Sequence, residues 1–327
     1  MPSTCQSKLP NLGTSIFTEM SAMAGEHQAI NLSQGFPEFD TPEFLKSAIN
    51  QAISEGKNQY CPSSGLPDLL QQIADLAQRC YIKDEARRLD ALNTITVTSG
   101  ATEALMVAIQ TLVRAGDEVI VFDPAYDAYE PAVELCGGTC RHIAMHAPDY
   151  AIDWALVEQS INDKTRAIVI NSPHNPTGSL ISADDLIALQ KLVLAHDLYV
   201  ISDEVYEHMT FDGLRHESVL AYPDLFERAF VISSFGKTFH CTGWKLGYCI
   251  APPALTDEFR KIHQYVTFCS FTPAQFAVAS MLENHPKHVD DLSSFYQQKR
   301  DVLVDALQGS RFKILPSKGT YFLLLDY

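Results

Sequence analysis

The chain is short of what several function classes require. Among its 327 residues there is no CxxC pair and no HExxH, and the eight cysteines and eleven histidines do not fall at metal-ligand spacing. No metal site is assigned, and the thiols are read as reduced; Cys136 and Cys140, flanking Gly137-Gly138, are read as small packed thiols. Basic residues are scarce, with 24 Lys and Arg against 40 Asp and Glu and a net charge of −16. That balance argues against nucleic acid or an anionic membrane as a partner. No apolar run approaches a membrane span, and Met1 to Pro10 is too polar for a signal peptide, so a cytoplasmic location is expected. Internal repeats, low-complexity tracts and flexible linkers are absent too. What is there is a globular composition, 46% hydrophobic and 20% charged, long enough for about two domains and suited to a small-molecule partner.

From about Asn93 onward, short β-rich runs alternate with helical segments. Seven strands are predicted, at 94–99, 118–122, 139–145, 165–171, 198–203, 230–234 and 245–251. Runs such as Arg166-Ala167-Ile168-Val169-Ile170 are almost continuously apolar, as in strands covered on both faces, so the fold class is α/β with a mostly parallel seven-stranded sheet and helices on both faces. A helix over 102–114 puts Ala104, Leu105, Ala108, Ile109, Leu112 and Val113 on one face and stops at Gly116. Ser182-Ala183-Asp184-Asp185 is a capping box for a helix carrying Leu186, Leu189 and Val193. Thr41-Pro42-Glu43 begins another helix with a cap and a first-turn proline. Residues before Asp40 are expected to be irregular, and a helix over 291–307 leads to a strand at 320–325. The domain reading is an N-terminal arm and part of a small domain at 1–40, a large domain at 41–280, and the rest of the smaller α/β domain, built from both chain ends, at 281–327.

One lysine stands out. The tract Ser233-Ser234-Phe235-Gly236-Lys237-Thr238-Phe239-His240-Cys241-Thr242-Gly243-Trp244-Lys245 sets Lys237 among Phe235, Phe239 and Trp244, where desolvation favours a neutral, nucleophilic amine. Such an amine forms a Schiff base with an aldehyde cofactor; for the tract taken alone, a lysine snorkelling from a buried strand end to water is the ordinary reading. In open α/β sheets ligands sit beyond the carboxyl ends of the strands, so polar residues after successive strands converge. After the first strand, Ser99-Gly100-Ala101-Thr102 either brings backbone N–H groups up to a phosphate or makes a tight turn. After the second, Tyr126 either covers a planar cofactor or packs as an ordinary aromatic. After the fourth, Asn175 either donates to a phenolate oxygen or opens a turn, and His174 beside it is given a surface or turn role. Asp203 ends the fifth strand and needs a partner, either a helix terminus or a pyridine nitrogen that it keeps protonated as an electron sink. Tyr206 can share the phenolate oxygen with Asn175, and Lys245 with the Ser234 hydroxyl can complete a phosphate cup.

Together with Asn31-Leu32-Ser33-Gln34-Gly35-Phe36-Pro37, Asn58-Gln59-Tyr60, Gly100-Ala101-Thr102-Glu103-Ala104-Leu105, Asn175-Pro176-Thr177-Gly178 and Asp203-Glu204-Val205-Tyr206, these segments resemble the fold type I, pyridoxal-phosphate-dependent aminotransferases of class I/II. Within that family the likeness is to the bacterial methionine aminotransferase and kynurenine aminotransferase/glutamine transaminase K group, over essentially the whole chain. The resemblance implies that Lys237 forms the Schiff base with pyridoxal 5′-phosphate, Asp203 pairs with the pyridinium nitrogen, Asn175 and Tyr206 bond the phenolate oxygen, and Tyr126 stacks on the ring. Gly100, Ala101, Thr102, Ser234 and Lys245 then belong to the phosphate end. Tyr60 is similar to a tyrosine that reaches the partner subunit's phosphate, which implies a homodimer. Phe17, Gly35 and Phe36, with Asn175, resemble the substrate wall. The implied reaction is ping-pong transfer of an amino group from methionine, glutamine or an aromatic amino acid to a 2-oxo acid.

The family also carries, near its C-terminus, an arginine in an Arg-x-Cys/Ser-Phe setting that clamps the substrate carboxylate. No arginine here sits in that setting, and the expectation is a C-terminal part that is incomplete. Two other readings stand beside transamination: β-elimination from cysteine S-conjugates, which uses the same lysine, and a non-catalytic ligand sensor on the same scaffold. The sensor reading lacks a DNA-binding segment, and retention of Lys237 and Asp203 favours catalysis.

Overall fold

The structure is a computed structural model that describes residues 5–327 other than Gln34, Phe36, Glu38 and Glu85. Seven strands, β1 (Ile95–Thr98), β2 (Glu118–Asp123), β3 (Thr139–Ala144), β4 (Thr165–Asn171), β5 (Tyr199–Asp203), β6 (Ala229–Ser234) and β7 (Gly247–Ile250), form one sheet in the order β1-β7-β6-β5-β4-β2-β3. Pairing is parallel throughout β6-β5-β4-β2-β3, while β7 runs antiparallel to both β1 and β6. The predicted mostly parallel seven-stranded sheet is therefore the observed one.

Side chains alternate across the sheet with the two-residue period of a strand. Ile120, Ile168, Ile170, Val200 and Val231 bury on one face with helices Pro67–Cys80, Ala183–Ala195 and Thr272–Asn284. Val119, Val121, Val169, Ile201 and Ile232 bury on the other with helices Ala101–Leu112 and Pro253–Val266. Both faces are covered, which is why the strands read as unbroken apolar runs. Ser182 caps its helix, with the reciprocal Asp185 bond of a capping box in place. The helix after β1 crosses the middle of the sheet against β5, β6 and β7 on its way to β2, so its N-terminus lies over their ends.

Three expectations at the chain ends need correction. Residues before Asp40 are not wholly irregular: Ile16–Glu26 is a helix capped by Ser15, and it buries none of its residues. The i, i+4, i+7 spacing of Ile16, Met20 and Met23 was the available signal. The helix beginning at Glu43 has Pro42 at its cap position with no side-chain capping bond, because the Thr41 hydroxyl donates instead to the His240 carbonyl at 3.1 Å. The strand expected at 320–325 shrinks to Leu325–Asp326, paired with Lys313–Ile314. Thr320 interrupts it with φ +66°, and Tyr321 and Phe322 turn into an aromatic cluster with Tyr206 and Tyr296. Helix Lys287–Ala306 packs Leu292 and Tyr296 against Val205, Met209 and Phe211, tying the chain's last third to the end of β5.

Candidate active site

Beyond the carboxyl ends of the parallel strands lies a cavity of about 570 Å³. The strand-end residues read as cofactor contacts line it: Gly100, Ala101 and Thr102 after β1, Tyr126 after β2, Asn175 after β4, Asp203 and Tyr206 at β5, Ser234 closing β6 and Lys237 after it. Because β7 is antiparallel, it is the start of that strand that faces the cavity, and Lys245 just before it joins the lining. Phe17 and Gly35 add a wall from the N-terminal segment. Tyr60, expected to serve a partner subunit's site, is 82% exposed, its ring edge-on to Phe268 at 5.3 Å; Phe36 lies outside the described residues.

One end of the cavity is a cradle of backbone and cationic groups. Gly247 of β7 pairs in register with both Thr98 and Ser234, so three strands meet there. An added Cβ at Gly247 would lie 2.7 Å from the Ser233 carbonyl and 2.8 Å from the Ala101 nitrogen; only glycine lets the strand pass so close beneath the helix start. Gly100 is the N-cap, at φ +81°, and the Lys245 ammonium approaches to 3.5 Å of where its Cβ would be. Glu103 anchors this turn by accepting from the Ser99 N–H and by meeting the buried His263 at 2.7 Å. A helix N-terminus with a lysine and a serine beside it is an anion site by charge and by its free N–H groups.

The other end is a buried carboxylate. Asp203 accepts from the Tyr129 hydroxyl at 2.7 Å and from the Val205 N–H at 3.3 Å. Burial nevertheless pushes its carboxyl up from 3.8 to about 6, although Tyr129, Val205 and Lys237 pull the other way. Such a group favours a cationic partner. Burial first, and then Asp203, hold the Tyr129 phenol well above its ordinary value, so it remains a donor. The Asn171 amide donates to the Asp203 carbonyl at 2.8 Å, and its oxygen accepts from the Asn175 N–H at 2.7 Å, which fixes Asn175 relative to Asp203. His174 beside it is buried rather than at the surface, bonded to Thr177 at 2.8 Å, and burial lowers it to about 4.

Between these ends sits Lys237. Its aromatic neighbours are not those the tract suggested: Nζ lies 5.5 Å from the ring centre of Tyr206 and 5.4 Å from that of Tyr321. Phe235 and Phe239 instead stack on each other inside the core. Nζ donates to the Tyr321 hydroxyl at 2.8 Å, and that hydroxyl donates to the Gly35 carbonyl at 2.8 Å. Tyr129, Asn171 and Tyr321 are the site residues that sequence reasoning missed. Asn171 ends the predicted fourth strand as Asp203 ends the fifth, which was a signal for one of them, and the two pair in register; Tyr321 comes from far along the chain and gave none.

The arrangement offers a nucleophilic amine, an acid–base-capable lysine, a cation-seeking carboxylate and an anion cradle around one cavity. Comparison with known proteins agrees. The family Aminotransferase class I and II matches residues 27–327. The chain is 52% identical over 322 residues to methionine aminotransferase of Escherichia coli (strain K12), covering 98% of this chain and 82% of that protein. It is 36% identical over 336 residues to kynurenine–oxoglutarate transaminase of Dictyostelium discoideum, covering 97% and 76%. The crystal structure of YbdL from Escherichia coli, identified as having a methionine aminotransferase function, superposes with a TM-score of 0.96 at 52% identity, over 100% of this chain and 84% of that one. N-succinyldiaminopimelate aminotransferase from Mycobacterium tuberculosis gives 0.93 at 38% identity, over 99% and 84%. With its fold and nearly its whole length in common with these proteins, the chain belongs to the class I and II aminotransferases and is an enzyme that transfers the amino group of an amino acid.

Proposed function

We propose that the enzyme uses pyridoxal 5′-phosphate to move an amino group from methionine, glutamine or an aromatic amino acid to a 2-oxo acid, as a cytoplasmic homodimer. The observation that carries this reading is the pairing of Lys237 with a buried Asp203 in one cavity whose far end is the Gly100–Lys245 anion cradle. The residues fit an aldehyde, a pyridine nitrogen and a phosphate held in one molecule. When bound, that cofactor supplies an aldehyde carbon for the amine and a ring that withdraws electrons.

Each residue then has one task. Asp203 holds the protonated ring nitrogen, a cation that compensates the cost of its buried charge. Asn175 and Tyr206 donate to the phenolate oxygen; burial and the neighbouring Tyr321 keep the Tyr206 phenol protonated. Tyr126 covers the ring face. The N–H groups of Ala101 and Thr102 after Gly100, the Ser234 hydroxyl and the Lys245 ammonium bind the phosphate. Lys237 would hold the aldehyde end of the cofactor, and its Nζ, when free, would carry the substrate's α-proton. Phe17 and Gly35 wall the substrate side and exclude water. The dimer is supported by Tyr60, Tyr265, Phe268, Phe271, Ile30 and Leu32, large apolar side chains that are all exposed on one chain. Tyr60 then reaches the partner's phosphate. Methionine is favoured among donors by the likeness to the Escherichia coli enzyme.

An absorbance spectrum of the purified protein with pyridoxal phosphate tests the reading. A visible band that bleaches with methionine and returns with phenylpyruvate is expected, with borohydride fixing the label on Lys237. Label on another residue, or pyruvate and ammonia accumulating from cysteine conjugates in place of a returning band, refutes it.

A further inference from the structure

We infer that Tyr321 is the positioning residue of Lys237: it holds the free ε-amine by one N–H and ties that hold to the N-terminal wall through Gly35. The inference rests on the proposed role of Lys237 as the base that carries the α-proton. A phenol has one proton and the Gly35 carbonyl can only accept, so at 2.8 Å the Tyr321 proton belongs to that carbonyl. Toward Lys237, also at 2.8 Å, the same oxygen is then left as an acceptor. It therefore fixes one N–H of the amine without competing for the lone pair.

The anchor is itself held on several sides. Tyr321 is edge-on to Tyr206 at 5.3 Å, tilted on Phe322 at 5.0 Å and on Tyr296 at 5.7 Å. The Gly35 backbone lies flat on the same rings: an added Cβ there would meet Phe322 at 2.3 Å and Tyr321 at 2.6 Å. Packing alone would be served by a phenylalanine, as at the neighbouring Phe322. What the hydroxyl adds is hydrogen bonding, and one of its bonds goes to the reacting nitrogen.

A lysine on four rotatable bonds samples many directions when it is not covalently bound. Holding one N–H leaves few orientations for the lone pair. In the proton transfer, the α-proton moves to that lone pair, the C–H electron pair stays with the carbon, and the resulting ammonium bonds Tyr321 more strongly through its charge. Misplacing a reacting group by about 1 Å costs on the order of a hundredfold in rate.

The test is Tyr321→Phe in the cofactor-loaded enzyme, measured with α-protio and α-deuterio methionine. The expected result is a kcat lower by about 10- to 100-fold, KM nearly unchanged, a larger deuterium isotope effect on kcat, and an unaltered thermal midpoint. Competitive acetylation of Lys237 by acetic anhydride in the cofactor-free protein, read by mass spectrometry, should run several-fold faster in the variant because the amine is released. An unchanged kcat with an unchanged isotope effect overturns the inference, and so does a variant that loses stability while Lys237 acetylates at the wild-type rate. If the wild type itself shows no cofactor band, the functional reading fails, while the acetylation comparison still decides the role of Tyr321.

Discussion

Replacing Asp203 by asparagine should stabilise the cofactor-free protein at neutral pH while disabling it. The carboxyl is raised from 3.8 to about 6 by burial, so the folded state holds its proton through a range in which the unfolded chain has released it. Between those two values the native state binds more protons than the unfolded one, and stability falls as pH rises. The loss is absent below about pH 4 and complete above about pH 6. At 1.36 kcal/mol per unit it amounts to about 3 kcal/mol. Asparagine removes the charge but keeps one acceptor oxygen, which Tyr129 can use, and forfeits the 3.3 Å bond from Val205, a loss of about 1 kcal/mol. The variant is then less stable than wild type by about 1 kcal/mol near pH 4 and more stable by about 2 kcal/mol at pH 8. Urea denaturation of both cofactor-free proteins from pH 4 to 8 measures the difference. Added pyridoxal phosphate should reverse the order at pH 8, since a pyridinium needs the carboxylate. A stability difference that does not change with pH refutes the reasoning.

Gly247→Ala places a Cβ within 3 Å of three backbone atoms of the cradle; a cost of about 3 kcal/mol or more in urea denaturation is expected, together with weaker cofactor uptake in a spectral titration. Glu204 and His216 form a buried pair at 2.8 Å, so Glu204→Gln should cost about 3–5 kcal/mol. Burial alone would lower His216, but attraction to Glu204 raises it overall; its contribution is present below the ordinary histidine value and is lost as pH climbs through the raised one, a slope that stability measurements on the variant should no longer show. If Tyr60 serves the partner's site, inactive Lys237→Ala chains mixed with impaired Tyr60→Ala chains should recover about a quarter of wild-type activity, because half of the random dimers then hold one intact site of two. Recovery of none places Tyr60 in its own chain's site or in no site.

The inner strands were legible because they are covered on both faces, which forces continuous apolar runs that no loop would carry; the edge strand Thr139–Ala144 is largely exposed. The strand-end polar residues were legible because sheet topology leaves them one place to go. Asp203 is an example: a carboxylate closing Tyr199–Asp203 must be buried, and a buried carboxylate must be partnered. The chain ends were less legible. Helix Ile16–Glu26 buries nothing within one chain, so the hydrophobic pattern had no core to report. At 320–325 the apolar residues satisfy a ring cluster rather than a ladder, and a period-two pattern cannot distinguish the two.

By itself the sequence determined the α/β class, the sheet and the place of Lys237 just beyond β6, since these follow from local alternation and from residues within a few positions of one another. Only the tertiary structure decided what surrounds that lysine. Tyr129, Asn171 and Tyr321 reach Asp203, Asn175 and Lys237, and Gly35 holds Tyr321, by hydrogen bonds that bridge from four to 286 positions along the chain, and most of those contacts are set by how separate elements pack, which no local pattern encodes.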